Sequence, residues 1–117
     1  MIGKWLDIGP VTQIEPGTAR TLPVAGGPGE GRGIAVFRTM TGDCYALVNR
    51  CPHRHGPLSQ GIVHGAVVTC PLHSWNISLK TGEALGADEG CVPTIPLKLD
   101  GGRIFLLREA VLGQQAA

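Results

Sequence analysis

Two short segments of the chain each combine a cysteine with a histidine. The segment CPHRHG begins at Cys51 and contains His53, and the segment CPLHSW begins at Cys70 and contains His73. Thiolate sulfur and imidazole nitrogen are ligands of zinc and of iron–sulfur clusters. Two such pairs in two loops could therefore hold either kind of centre.

Each cysteine–histidine pair comes directly after a run typical of a β-strand. ALVN precedes the first pair and AVVT precedes the second, and a proline, Pro52 or Pro71, follows each cysteine. Proline fixes its own φ angle and removes a backbone donor, so it stiffens a loop. We expect each pair to lie in a stiff loop at the end of a strand.

The spacing within the pairs favours a two-iron cluster over structural zinc. A structural zinc site usually joins compact CxxC-type knuckles in a small domain that depends on the metal to fold. This chain has enough apolar strand material to fold largely without a metal, and its first pair has the tighter Cys-x-His spacing. A two-iron cluster is wider and can take two cysteines on one iron and two histidines on the other.

The elements that would position these loops are strands. Gly42, His64–Gly65 and Gly101–Gly102 are expected at the turns of hairpins, because glycine accepts positive φ angles. The three predicted hairpins pair GRGIAVFR (31–38) with DCYALVN (43–49), GIVHG (61–65) with AVVTC (66–70), and TIPLKLD (94–100) with RIFLLRE (103–109).

The remaining segments give weaker signals. WLDIG, VTQIE and TARTLPV are expected as further strands before residue 25, AGGPGEG (25–31) as a flexible loop, and Glu109–Gln114 as a possible short helix. With 18 glycines and nine prolines in 117 residues, the composition favours short strands and tight turns. The sequence predicts a single all-β domain, 1–117, of small antiparallel sheets.

The charge and cysteine content narrow the function classes. A net charge of +1 argues against nucleic acid or an anionic membrane as the partner, because both favour a clustered basic surface. No apolar run approaches a membrane span, and the start MIGKWLDIG does not resemble a secretory signal. We expect a soluble cytoplasmic protein, whose four cysteines are metal ligands or free thiols rather than disulfides.

CPHRHGPLSQG followed by CPLHSW resembles the signature of the Rieske [2Fe–2S] domain family. The resemblance implies a Rieske-type all-β fold in which two loops form a cluster-binding part of the domain, over about residues 49–81. It also implies that Cys51 and Cys70 bind one iron, and that His53 and His73 bind the other.

Longer stretches resemble the small subunit of the assimilatory NAD(P)H-dependent nitrite reductase. They are GPLSQGIVHGAVVTCPLHSWNISLKTGEAL and DEGCVPTIPLKLDGGRIFL, within residues 45–107. That family implies electron transfer in nitrate assimilation to a large subunit that carries siroheme, a four-iron cluster and FAD and reduces nitrite to ammonium. The alternative is a Rieske ferredoxin of a ring-hydroxylating oxygenase. ALGADEGCVPTIPLK favours the nitrite reductase, because such ferredoxins usually have a more proline-rich run there.

The ligand set also predicts the range of the reduction potential. With two thiolates and two neutral imidazoles the oxidised centre is neutral, so adding an electron costs less than adding one to a four-cysteine dianion. Rieske potentials accordingly span roughly −150 to +300 mV, against about −400 mV for plant-type ferredoxins. High-potential Rieske proteins have a disulfide where this chain has Gly56 and Leu72, and a serine in place of Trp75. The absence of the disulfide and of the serine predicts a reduction potential at the low end of the Rieske range.

Other residues near the motif have plainer roles. His55 is interpreted as a solvent-facing loop residue rather than a ligand, Cys44 as a buried thiol, and Cys91 as a structural residue. Leu58 and Trp75 are expected to pack under the cluster and keep water off the sulfurs. Since no nucleophile triad, paired carboxylates or phosphate-binding loop occurs, the chain alone is expected to transfer electrons and to perform no bond chemistry.

Overall fold

The fold consists of short antiparallel strands with very little helix. The computed structural model describes residues 4–22, 33–51, 57–71, 74–86 and 90–111. Within them, helical backbone is confined to two single 3₁₀ turns, Val11–Gln13 and Leu58–Gln60, and a turn at 108–111. The strands are β1 (Trp5–Pro10), β2 (Thr18–Leu22), β3 (Ile34–Arg38), β4 (Cys44–Val48), β5 (Ile62–His64), β6 (Val67–Thr69), β7 (Asn76–Ser78), β8 (Thr94–Ile95), β9 (Leu97–Asp100) and β10 (Arg103–Leu107).

These strands form three sheets, which confirms the all-β fold class. The sheet orders are β1-β10-β9, β2-β3-β4-β8 and β5-β6-β7, and every pairing is antiparallel. The four-stranded sheet provides the largest part of the core, since β3 is almost fully apolar and buried from Ile34 to Phe37. One apolar cluster joins all three sheets, because Ile104 of β10 and Val68 of β6 belong to the same buried group.

Most of the predicted hairpin strands are present. β3 pairs with β4 across Gly42, whose φ is +98°, and β9 pairs with β10 across Gly101–Gly102. β5 pairs with β6, but their turn lies at Gly65–Ala66, one residue later than predicted. The predicted loop 25–31 lies outside the described residues, as does the second half of the possible C-terminal helix.

Two predictions of secondary structure were wrong, and one strand was not predicted. The single strand expected over 94–100 is two strands in different sheets, β8 and β9, separated by Pro96, which has no N–H to continue a ladder. The strand expected at VTQIE is the 3₁₀ turn Val11–Gln13. The sequence reading also missed β7, a three-residue strand whose central residue, Ile77, is buried.

The third sheet lies in the region predicted to bind the cluster. Val63, Val68 and Ile77 are aligned across β5, β6 and β7 and point inward, and Val68 and Ile77 are fully buried. Because side chains alternate between the two faces of a strand, the residues on either side of these three form the outer face. Among the described residues, no helix is long and apolar enough to cross a membrane.

Candidate cluster-binding site

The first predicted loop begins at the end of β4. Leu47 and Val48 are buried, and the strand gives way to Asn49, Arg50 and Cys51. Cys51 is fully buried and forms part of the apolar core. The Cys51 thiol therefore lies in the interior just after a strand of the core. This agrees with the prediction that each cysteine follows a strand.

Asn49 and Ser59 tie the two ends of this loop together. The Asn49 Nδ2 donates to Ser59 Oγ at 3.0 Å, and the Ser59 N–H donates to Asn49 Oδ1 at 2.7 Å. Asn49 is 3% exposed, and its own N–H donates to the Gly33 carbonyl at 2.9 Å. Buried polar groups need partners, so this clamp satisfies both ends of the amide and closes the segment 50–58 at its base.

The second predicted loop begins at the end of β6. Thr69 ends the strand and Cys70 follows it, with 1% of its surface exposed. The Cys70 N–H donates to the Trp75 carbonyl at 2.7 Å, which closes the loop at its base. Ser74 has a φ of +56° and is the only non-glycine residue in the described ranges with a positive value. Such a left-handed residue reverses the chain within a short loop.

Two of the four predicted ligands are described by the structure. Cys51 and Cys70 are both buried, and no disulfide joins any of the four cysteines, all of which are among the described residues. His53 and His73 lie outside the described residues, as do His55, Gly56 and Leu72. No group of three or more metal-binding side chains occurs within the ranges that the structure describes.

The residues around the two thiols fit a buried iron–sulfur centre. Leu58, fully buried, follows the first loop, and Trp75, partly buried, packs against the same core from the second. Cys51, Cys70 and Leu58 all belong to that core cluster. Two unbridged thiols inside an apolar cluster, each at a strand end, are suited to act as thiolate ligands shielded from water.

The segment that follows β7 forms backbone hydrogen bonds along the edge of the third sheet. Gly82 N–H donates to the Ser78 carbonyl and Val92 N–H donates to the Gly82 carbonyl, both at 2.8 Å. Leu85 N–H donates to the Asn76 carbonyl at 2.8 Å. These backbone hydrogen bonds therefore add the segment to the β7 edge of the third sheet. The segment contains no proline before Pro93.

The two other cysteines occupy contrasting environments. Cys44, at the start of β4, is buried as predicted, and its burial raises the pKa of the thiol. Cys91 is exposed on the bridge that pairs it with Glu83. A buried thiol with a raised pKa is a poor nucleophile, so Cys44 serves packing.

This arrangement is an all-β protein with two loops that follow strands, each with a buried cysteine near its start. The Rieske [2Fe-2S] domain model matches residues 4–96. The chain belongs to the Rieske [2Fe–2S] domain family, and its cofactor is therefore a Rieske-type [2Fe–2S] cluster.

The relatives of this chain include ferredoxin components of dioxygenases. The chain is 32% identical over 107 residues to the ferredoxin component of a naphthalene 1,2-dioxygenase system from Pseudomonas aeruginosa, covering 91% of this chain and 97% of that protein. It is 39% identical over 80 residues to the 3-phenylpropionate/cinnamic acid dioxygenase ferredoxin subunit of Escherichia coli K12, covering 62% of this chain and 70% of that one.

A solved structure assigned as an NADH-dependent nitrite reductase small subunit, from Mycobacterium tuberculosis, has the same fold. Its TM-score is 0.74 at 25% identity, covering 91% of this chain and 96% of that chain. Electron transfer through a Rieske cluster is the function that these findings support. The identity of the redox partner is a separate question.

Proposed function

We propose that the chain is the electron-transfer small subunit of an NAD(P)H-dependent nitrite reductase, with Cys51, His53, Cys70 and His73 as cluster ligands. The observation that carries this proposal is the run ALGADEGCVPTIPLK, which resembles that subunit and replaces the proline-rich run of the oxygenase ferredoxins. The fold similarity to the Mycobacterium tuberculosis protein, at 25% identity over 91% of this chain, is in accord with it.

The chain's own residues would hold and shield the centre. When bound, the cluster supplies one-electron transfer. Cys51 and Cys70 place their sulfurs in the core, where Leu58 and Trp75 exclude water. The Asn49–Ser59 clamp and the Cys70–Trp75 backbone bond fix the bases of the two loops. A fixed, dry ligand shell limits reorganisation when the charge changes.

The absence of a disulfide beside the ligands predicts a low potential for a Rieske protein. The loop positions at which high-potential Rieske proteins have that disulfide are Gly56 and Leu72 in this chain, so it cannot form. We expect a midpoint potential in the lower half of the Rieske range, roughly −150 to +75 mV. Spectropotentiometric titration with redox dyes measures it, and a value near +300 mV would contradict this reading.

A Rieske ferredoxin of a ring-hydroxylating oxygenase is the second candidate. The identity to the naphthalene dioxygenase ferredoxin component over nearly the whole of both chains favours it. Both candidates use the same cluster and differ only in the partner that receives the electron, so partner-specific experiments are needed to separate them.

Deleting the gene in its source organism separates the two candidates. If the proposal is right, the deletion strain grows on ammonium but not on nitrite as sole nitrogen source, and loses NAD(P)H-dependent nitrite reduction in extracts. Wild-type protein added to the extract restores the activity, and the Cys70→Ser variant does not.

The second candidate predicts the opposite phenotype. Growth on nitrite would be unchanged, and the strain would lose the ability to hydroxylate an aromatic substrate. Affinity purification gives an independent check: a siroheme protein captured by the tagged chain supports the nitrite reductase, and an oxygenase captured in its place overturns it.

A further inference from the structure

Three polar side chains lie together on the outer face of the third sheet. His64 ends β5, Thr69 ends β6 and Asn76 begins β7. The strand register pairs Thr69 with Asn76 and places His64 one diagonal step away on the same face. We call these three residues the outer latch, since they lie on the face opposite the inward row of Val63, which is partly buried, and Val68 and Ile77, which are fully buried.

The hydrogen bonds of the outer latch have a defined direction. Thr69 Oγ1 donates its single hydrogen to Asn76 Oδ1 at 2.6 Å. The same oxygen lies 2.7 Å from His64 Nε2. Because the hydroxyl hydrogen is already used, Nε2 must carry the hydrogen and donate to Thr69. The Thr69 hydroxyl therefore joins all three strands through one oxygen atom.

The outer latch spans the base of the second ligand loop. Thr69 directly precedes Cys70, and Asn76 directly follows Trp75. The loop base thus has two closures: the backbone bond from Cys70 N–H to the Trp75 carbonyl, and the side-chain bond from Thr69 to Asn76. His64 extends the second closure to the neighbouring strand.

We propose that His64, Thr69 and Asn76 are positioning residues that hold the base of the second ligand loop closed and so keep Cys70 in its buried place. This inference rests on the proposed assignment of Cys70 and His73 as ligands. Opening of the loop base would release Cys70 from its buried place without unfolding the sheets, because local segments of a native protein open independently of the whole.

The exposure of the outer latch separates this role from ordinary stabilisation. Ordering exposed polar side chains costs conformational entropy and replaces bonds to water, so such networks add little to global stability. The apolar core lies on the opposite face of the same strands. A change in the latch should therefore alter local opening of the loop far more than the melting temperature.

The central test is Thr69→Val in the cluster-loaded protein, because valine keeps the shape of threonine and removes both hydrogen bonds. The readout is the rate of iron release to a ferrous chelator after dithionite reduction, well below the melting temperature. We expect release about fivefold faster than in wild type, the factor equivalent to roughly 1 kcal/mol. Thr69→Ser, which keeps the hydroxyl, should release iron at close to the wild-type rate.

Two variants act as matched controls. Thr21→Val makes the same chemical change on β2, an edge strand of another sheet, where Thr21 is exposed. Ile104→Val weakens the buried core in the first sheet, and its iron release is measured well below its melting temperature, where that core is still intact. Neither should change iron release. Equal acceleration in either control, or wild-type release from Thr69→Val, would overturn the proposal.

The double variant tests the connection to His64. His64→Ala alone should accelerate release by less than Thr69→Val does, and in the Thr69→Val background it should add nothing, because its partner is already gone. Additive effects would show that the two residues act separately and would contradict the latch. If Thr69→Val fails to load a cluster, the comparison of His64→Ala with wild type decides the matter.

Failure of the ligand assignment gives a different result. If Cys70→Ser retains the visible absorbance of the cluster, the loop does not supply a ligand and the positioning role falls with it. If Cys70→Ser loses the cluster and Thr69→Val behaves as wild type, the assignment stands and the outer latch alone is wrong.

Discussion

At the scale of single residues, the first ligand segment contains two histidines, and the proposed ligand set uses one of them. The resemblance to the family implies His53, which with Cys51 gives the Cys-x-His spacing, rather than His55. We expect Cys51→Ser to lose the cluster and His55→Ala to retain it, because a serine hydroxyl is a far poorer iron ligand than a thiolate.

Visible absorbance and iron content of the purified variants check this prediction. Cys44→Ser is the control, since Cys44 is also buried but lies at the far end of β4 from the loop. If His55→Ala loses the visible absorbance of the cluster and His53→Ala keeps it, then His55 is the ligand and His53 is not.

The residue types and spacings favoured a two-iron cluster over zinc and predicted a strand before each cysteine, and the resemblance to the Rieske family specified the cofactor. The Asn49–Ser59 clamp was missed, because its partners are ten positions apart and neither belongs to a motif. An asparagine placed between a buried strand and the first ligand loop was the available signal. Its hydrogen-bond partner depends on how the loop returns, which local sequence does not determine.

At the scale of elements, the Asn49 clamp should stabilise the first ligand loop. Asn49→Ala removes two hydrogen bonds and leaves the Ser59 N–H without its partner, so we expect a loss of about 2–3 kcal/mol. Ser59→Ala removes only the bond from Nδ2 and should cost about 1 kcal/mol. Urea unfolding followed by far-UV circular dichroism measures both, and equal losses would show that the backbone bond contributes nothing.

Gly82 allows the segment after β7 to approach Val92. A Cβ at this position would lie 2.1 Å from the Val92 carbonyl oxygen, and the φ of Gly82 is +77°. We expect Gly82→Ala to lower the free energy of unfolding by about 2–4 kcal/mol, from backbone strain and the overlap together.

Gly86 provides the matched control for this change. Its φ is also +77°, but no atom of the described residues lies within 4 Å of the added Cβ. Gly86→Ala should therefore cost only the strain of the left-handed backbone, about 1–2 kcal/mol. If the two variants melt at the same temperature, the close approach of Val92 is not a constraint.

At the scale of the whole molecule, the sequence predicted the fold class but not the division into sheets. The run at 94–100 looked like one strand, since its apolar pattern continues across Pro96. Its two halves pair with different partners: β8 pairs with β4 and β9 with β10. Which strands meet over such separations depends on tertiary packing, which outweighs the local propensity of a short run.

The shared core predicts that the three sheets unfold together with the cluster. Ile104 of β10 is 1% exposed and belongs to the same apolar cluster as Cys51 and Cys70. Ile104→Ala should cost about 2–5 kcal/mol and lower the melting temperature by roughly 4 °C for each kcal/mol. The melting transitions followed by far-UV circular dichroism and by visible absorbance should both move to the same lower temperature, because the thiols stay buried only while this core is intact. A visible transition that keeps its wild-type temperature while the circular dichroism transition falls would mean that the cluster loops hold their metal independently of the first sheet.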